Sequence, residues 1–511
     1  VRWRSAHTVI LFALTLFILG SAPWVVGAAT RSDDSPFPVT AQAADRPTPP
    51  ALDAVVAVVG ATPARAPLPA GFLGLSLEYG ALDAYTGGNP AALNPVFVRL
   101  LRNLAPTPGQ PLLLRIGGDS TDATWWPVRG LARPAGIRYA LTPRWAATAR
   151  ALATAVNARL ILGVNLAAGR PSLSFAEARA LLRGVGSAHV AALELGNEPD
   201  VYGLFPWYTG HHGLVFARDA SYSLNAYVKQ VRRWESGLPK VPLAGPATAK
   251  LPWMAGLPAL LAAAPRLKVV TVHRYALKGC QTDPDSPEYP SIANLLSDRS
   301  ASGLARPVAP YVAAAHARGL EFRVDELNSA ALAGCLGRTG VSDTFASALW
   351  MVDALFNMAN VGVDGVNVHS LPGAAYAPFT FARVAGRWRG SVRPDYYGML
   401  LFARAFPPGA RLLSVHVAGG PVKVWATTAG VVLINKASRA HDVTLALPQP
   451  GAAHIEWLRA PSAGATTGVT LGGVSVAPTG VLPTPRLQPV SQVAGRYLID
   501  LPPTSAALLT R

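Results

Sequence analysis

An alternation constrains this chain more than any single residue does. Between residues 71 and 400, eight short apolar runs recur, at 73–79, 112–116, 159–165, 190–195, 242–245, 269–275, 321–324 and 365–369. Most are continuously apolar, as parallel strands covered on both faces are. Ala-, Arg- and Leu-rich stretches with helical spacing lie between them, at 95–104, 143–157, 174–184, 223–236, 308–318 and 343–359. Strand and helix alternating eight times predicts an α/β fold, a (β/α)8 TIM barrel over 71–400. Beyond residue 400 the helical spacing stops. Short runs at 412–417, 422–427, 431–435, 442–447, 454–458, 469–471 and 496–501, punctuated by Gly and Pro, predict a C-terminal antiparallel β-sandwich over 401–511. A further run at 53–59 precedes the first barrel strand. It is expected to pair into the sandwich, so that 51–70 belongs to that domain.

Half of the 511 residues are hydrophobic, which excludes disorder as the overall state. The 45 Lys and Arg outnumber the 28 Asp and Glu, for a net charge of +17. The basic residues form no run of the kind that marks a nucleic-acid arm, so no nucleic-acid partner is expected. Arg2 and Arg4 precede an apolar stretch at 9–19 and then the small residues Gly27, Ala28 and Ala29. That order is a secretory signal, assigned to 1–29, with an uncleaved anchor as the alternative. The polar segment 30–50 carries five prolines and reads as a linker. The expected location is secreted or cell-surface, with no stable membrane partner after cleavage. Export would permit a Cys280–Cys335 disulfide. These residues follow strands six and seven, which are neighbours in a barrel. A bridge would pin two rim loops together and stabilise by roughly 4 kcal/mol in the chain-entropy model; two free thiols are the other reading.

In a (β/α)8 barrel the active site forms at the C-terminal ends of the strands. Strand four ends in Leu195-Gly196-Asn197-Glu198-Pro199, and strand seven in Val324-Asp325-Glu326-Leu327-Asn328-Ser329. Two rim carboxylates facing each other suit glycosidic bond cleavage, where one protonates the leaving oxygen and the other attacks carbon or activates water. Solvated rim acids are the bland alternative. Tyr275 ends strand six beside strand seven and could donate its hydroxyl to Glu326. His273 is either a pocket residue or a hydrogen-bonded core histidine. Glu78 and Asp119, after strands one and two, are candidates to accept hydrogen bonds from sugar hydroxyls, or to brace the site. Of Trp125 and Trp126, at most one should line the cleft. The chain lacks a His-Glu-x-x-His, a phosphate-binding loop, a Gly-x-Ser-x-Gly elbow and a dinucleotide fingerprint. No cofactor and no catalytic metal are expected. The sequence carries no signal for oligomeric state.

These stretches, with Leu114-Arg115-Ile116-Gly117-Gly118-Asp119-Ser120-Thr121-Asp122, Val272–Tyr275, Pro372–Tyr376 and Arg393-Pro394-Asp395-Tyr396-Tyr397, resemble glycoside hydrolase family 79, the β-glucuronidases and heparanase-like enzymes. That family lies within the superfamily of retaining barrel glycosidases. The resemblance spans roughly 71–511. It implies Glu198 as acid/base, Glu326 as nucleophile and Asn197 as donor to the sugar 2-hydroxyl. Arg115 would sit beside the nucleophile and hold it ionised. The backbone at Gly373 and the hydroxyl of Tyr376 would bind a uronate carboxylate. The implied activity is a retaining β-glucuronidase acting on a glucuronide or uronic-acid-containing carbohydrate, with its two carboxyls ~5–5.5 Å apart. Two rivals stand beside it: the same machinery acting on a neutral sugar such as a β-glucoside or β-xyloside, and a secreted, non-catalytic carbohydrate-binding protein.

Overall fold

The computed structural model describes residues 54–511 apart from 108, 333 and 450. The predicted signal segment and linker, and Asp53 of the run at 53–59, lie outside the described residues.

Eight parallel strands close a barrel in chain order: Leu73–Glu78, Leu112–Gly117, Ala158–Val164, Val190–Leu195, Leu243–Thr248, Leu267–Leu277, Glu321–Leu332 and Gly365–Ser370. The sixth pairs with the seventh and the eighth with the first, so the sheet has no open edge. Helices cover the outside, and their starts follow from sequence. Asn94 accepts from the Val96 and Phe97 amides to open Pro95–Asn103, and Thr142 accepts from the Trp145 amide to open Pro143–Ala155.

Strands six and seven run past the barrel rim and stay paired as far as Leu277 and Ala330. Their register slips by one residue. Val272 faces Val324 but His273 faces Glu326, leaving Asp325 as the extra residue of a bulge. In a regular strand two consecutive side chains point to opposite faces. Here both Asp325 and Glu326 are buried and face Arg115.

The C-terminal region is one continuous sheet of eleven strands rather than two separate ones. It curls over so that Val55, Leu445 and Tyr497 share a core with Ile455 and Trp457 from the far end of the strand order. Val55–Pro63 lies within this sheet, antiparallel to Leu412–Ala418 and parallel to His441–Ala446. Ser505–Thr510, not anticipated as a strand, sits between Val431–Asn435 and Ala453–Arg459. Its apolar run is buried on both faces, because the outer face of the sheet packs on the barrel helices Phe345–Asn360 and Pro394–Ala405. Polar ties cross the same seam. Lys436 pairs with Asp353 at 2.5 Å, Trp425 Nε1 donates to Asp353 at 3.0 Å, and Arg404 pairs with Glu456.

Candidate active site

Arg115, at the end of the second strand, is fully buried and organises the rim. Its Nε donates to Glu194 at 2.7 Å, one Nη to Glu326 at 2.7 Å and to Ser76 Oγ at 3.1 Å, and the other Nη to Asn197 Oδ1 at 2.9 Å. A guanidinium presents a planar fork of donors, and here it ties together the ends of strands one, four and seven. Burial pushes Glu194 upward, but the Arg115 charge, the Asp325 hydrogen bond and the His273 charge together outweigh it and leave the carboxyl below its ordinary range. Asp325 moves the other way. Burial, then the neighbouring Glu194 charge, push it well up. Neither Glu194 nor Asp325 was anticipated as part of the site.

Glu326 accepts from Arg115 and, at 2.5 Å, from the Tyr275 hydroxyl. His369 Nδ1 lies 3.6 Å and His273 Nδ1 3.8 Å from its Oε2. Burial acts to raise its pKa, yet His369, His273, Arg115 and the Tyr275 hydrogen bond together drive it far below the usual carboxylate range. The group is an anion at any physiological pH.

Glu198 stands opposite. Its backbone is left-handed, at φ +48°, a strained conformation for a side-chain-bearing residue. Its amide is tied to the Ala247 carbonyl at 2.9 Å. Its Oε1 accepts from His273 Nδ1 at 2.8 Å. Burial disfavours the charged imidazole, but Glu326, the Glu198 bond and Asp325 outweigh it and lift His273 to about 10. A carboxyl oxygen of Glu198 and one of Glu326 lie within 4.8 Å of each other, with a His273 nitrogen in the same cluster. These three donors are the set a cation would find here; the Arg115 guanidinium already supplies positive charge beside Glu326.

Asn197 is held on both sides, accepting from Arg115 and donating to Asp119 at 3.1 Å. Its amide, with the Tyr202 hydroxyl and the Leu166 and Ala167 amides, converges on the buried carboxylate of Asp122. Asp200 accepts from the Ala249 and Lys250 amides and ties the loop after strand four to the loop after strand five. Glu78 accepts the Asp119 and Ser120 amides at 3.0 and 2.8 Å and the Ser120 hydroxyl. This explains the Gly-Gly pair. Gly118 has φ +74°, and a Cβ there would fall 2.2 Å from Glu78 Oε1. Asp119 opens to the cavity but is crowded by acids. Enclosure in the site, then repulsion from Glu78, Glu198 and Glu326, push its pKa well up.

A cavity of about 310 Å³ lies over these groups, lined by Glu78, Asp119, Glu198, His273, Tyr275, Glu326, His369 and Tyr376 among others. The Tyr376 hydroxyl is buried, with Tyr275 as its polar neighbour, and makes no close hydrogen bond among the described residues. Gly373, expected beside it, is instead solvent-exposed and outside this lining, because its loop carries only Tyr376 inward. Cys280 and Cys335 are bridged, with Cα atoms 5.5 Å apart, and Leu332, Gly334 and Leu336 beside the bridge form part of the wall. A second cavity, about 430 Å³, shares Asp119, Glu198, Val201, Phe205 and Gly334 with the first and continues past Tyr202 and Trp207. Trp125 packs against Ile137 and Leu173, and neither it nor Trp126 lines either cavity. Besides Tyr275 and Tyr376, the aromatics that do, Tyr202, Phe205 and Trp207, were not anticipated. They lie in the long loop after strand four, where the run Phe205-Pro206-Trp207-Tyr208 was the available signal.

No protein-family model and no curated protein matches the chain. Solved structures do. A 4-O-α-L-rhamnosyl-β-D-glucuronidase from Fusarium oxysporum 12S superposes with a TM-score of 0.66 at 19% identity, covering 89% of this chain and 100% of that one. A GH51 arabinofuranosidase from Xanthomonas axonopodis pv. citri gives 0.63 at 15%, covering 89% and 99%. CelM2, a bifunctional glucanase-xylanase from a metagenome library, gives 0.55 at 14%, covering 89% and 98%. The chain shares with these glycoside hydrolases a closed eight-stranded parallel barrel joined to a β-rich region.

Proposed function

We propose that this protein is a retaining glycoside hydrolase acting on β-linked glucuronic acid. One observation carries the reading: a carboxyl oxygen of Glu198 and one of Glu326 lie within 4.8 Å of each other. Direct attack needs carboxyls only ~5–5.5 Å apart, whereas the inverting route needs ~6.5–9.5 Å to seat a water. Glu326, held ionised, attacks the anomeric carbon while the bond to the leaving oxygen breaks. That oxygen takes the proton held in the His273–Glu198 pair, through Glu198. A glycosyl ester on Glu326 results. Water then gives its proton to Glu198 and its oxygen to the anomeric carbon, freeing the sugar with retained configuration and restoring Glu326.

The partition of the cavities supports this assignment of roles. Glu326 lines only the first cavity, which would hold the sugar, whereas Glu198 stands at the boundary with the second, which would hold the leaving group. For the uronate, the supporting observation is the buried Tyr376 hydroxyl at the sugar cavity, which makes no close hydrogen bond among the described residues and has Tyr275 as its polar neighbour. A buried donor without a partner costs free energy until a ligand supplies an acceptor. The fold shared with a glucuronidase agrees with this reading, and the Cys280–Cys335 bridge agrees with export to an oxidising compartment.

The test is a panel of 4-nitrophenyl β-glucuronide, β-glucoside, β-xyloside and α-L-arabinofuranoside, with the first-formed anomer followed by NMR. The expected result is preferential turnover of the glucuronide with a β-anomer product. Preference for a neutral glycoside would replace the uronate assignment, and an inverted product would overturn the mechanism.

A further inference from the structure

The second cavity carries a more specific inference, which rests on the reading of Glu198 as the acid that meets the leaving group. Beyond Glu198 and Asp119 its wall carries one cation, Arg138, and is otherwise mainly Val201, Tyr202, Phe205, Pro206, Trp207 and Ala217. The polar tips of the two large rings in that set are already engaged. The Tyr202 hydroxyl donates to the Asp122 carboxylate at 2.5 Å, and Trp207 Nε1 donates to the Asp122 carbonyl at 2.8 Å. Asn197, on the same wall, is bonded through its side chain to Arg115 and Asp119. Apart from Asp119, Glu198 and Arg138, what this wall presents to an occupant is mainly ring faces and aliphatic carbon. A sugar would need its hydroxyls satisfied; an apolar group would not.

The apolar character continues outside the cavity. Phe205 is 42% exposed, and Pro206–Gly210 forms a hairpin with Gly213–Phe216 in which Phe216, 41% exposed, pairs with the cavity residue Pro206. Leu204 and Leu214 are about half exposed in the same segment. Phe205 and Phe216 are the two aromatic residues among the exposed large hydrophobics of the described chain, and both lie here. Contiguous exposed apolar surface joined to a cavity marks a ligand or partner contact rather than ordinary surface. The indole of Trp207 is also fixed from behind, since Gly136 packs so closely that a Cβ there would fall 2.3 Å from the ring.

We propose that the leaving group of this enzyme is an apolar or aromatic alcohol rather than a second sugar, seated against Trp207 and covered by the Phe205 and Phe216 hairpin. The commitment is to a small-molecule aglycone, because the apolar surface is continuous with the cavity that Glu198 borders.

The test uses two probes on wild type and on a Phe205→Ser/Phe216→Ser variant, whose substituted positions are exposed enough to leave the fold intact. First, 2-naphthol binding is measured by calorimetry, which needs no turnover. Second, kcat/KM is measured for 2-naphthyl β-glucuronide and for a β-glucuronosyl disaccharide. Comparing each substrate's own loss on substitution cancels the different intrinsic reactivity of the two leaving groups. Expected are at least tenfold weaker naphthol binding in the variant and at least tenfold greater loss of kcat/KM for the naphthyl substrate than for the disaccharide. Equal naphthol binding by both proteins, or equal losses on both substrates, would overturn the proposal. If wild type hydrolyses neither glucuronide, the glucuronidase reading fails separately. The naphthol measurement then decides the apolar site alone: weakening in the variant upholds it, and no change removes it.

Discussion

Glu326 and Glu198 are the same residue type at equivalent places in the fold, yet their surroundings differ in kind. Glu326 has a side chain 9% exposed and is held by Arg115 and Tyr275 with two histidines alongside. Glu198 has a side chain 22% exposed, one histidine partner and a backbone in the left-handed region. In the proposed mechanism the nucleophile must stay ionised and still, which the positive charge and donors gathered on Glu326 suit. The proposed acid must exchange protons with a leaving group and then with water, which the more open, lightly held Glu198 suits. Different environments, rather than different side chains, divide the labour.

The contrast can be broken from either end. Glu326→Ala should show the largest effect, a loss of about 10⁴-fold or more in kcat on every substrate, read by steady-state rates. Wild-type-like turnover would remove Glu326 as nucleophile. Glu198→Gln should cost about 10²–10⁴-fold on substrates with poor leaving groups and far less on activated aryl glycosides, because only the former need the proton. A uniform loss across leaving groups would contradict the acid role. Arg115→Lys replaces a fork that serves Glu194, Glu326 and Asn197 with a single ammonium. Breaking such a buried network should cost about 3 kcal/mol or more of stability, read from urea midpoints, and an unchanged midpoint would refute its organising role.

Tyr275→Phe removes one of the bonds that lower the Glu326 pKa. The acid limb of kcat/KM should therefore move to higher pH, with a rate loss of roughly tenfold. A limb that stays in place would show that the hydroxyl does not tune Glu326. The smallest effect concerns stability. The folded-state pKa of Glu326 is depressed, so its contribution is full above the unfolded value of about 4.3 and disappears as pH falls through the folded value. Wild type should therefore lose stability more steeply on acidification than Glu326→Gln, as measured by urea unfolding between pH 5 and pH 3. Parallel curves would contradict the depressed pKa.

Much of the architecture was legible because it rests on period and composition. The continuous apolar runs mark barrel strands buried on both faces, and the turn residues after 400 mark a change of fold. Strand ends located Glu198, Glu326, Arg115 and Tyr275 correctly in relation to one another. What stayed hidden depends on three dimensions. Ser505–Thr510 is a central strand only because the sheet packs on the barrel helices. Glu194 lies inside strand four, where a carboxylate makes sense only once the Arg115 charge is beside it. Gly373 and Tyr376 are close in sequence, yet only Tyr376 turns inward, since loop conformation is not written in residue type. The hairpin with Phe205 and Phe216 belongs to a long loop, whose course no periodicity describes.

The extra residue at Asp325 has a consequence for how this rim can be altered. The slip lets the consecutive residues Asp325 and Glu326 both stay buried at Arg115, so the setting of Glu326 depends on the bulge and its strand-six partner and not on Glu326 alone. The stretch behaves as a single transplantable cassette. Grafting Glu326 alone onto another barrel would deliver a carboxylate out of phase, whereas moving Val324 to Asn328 together, with the strand-six partner that defines the slip, would carry its orientation along.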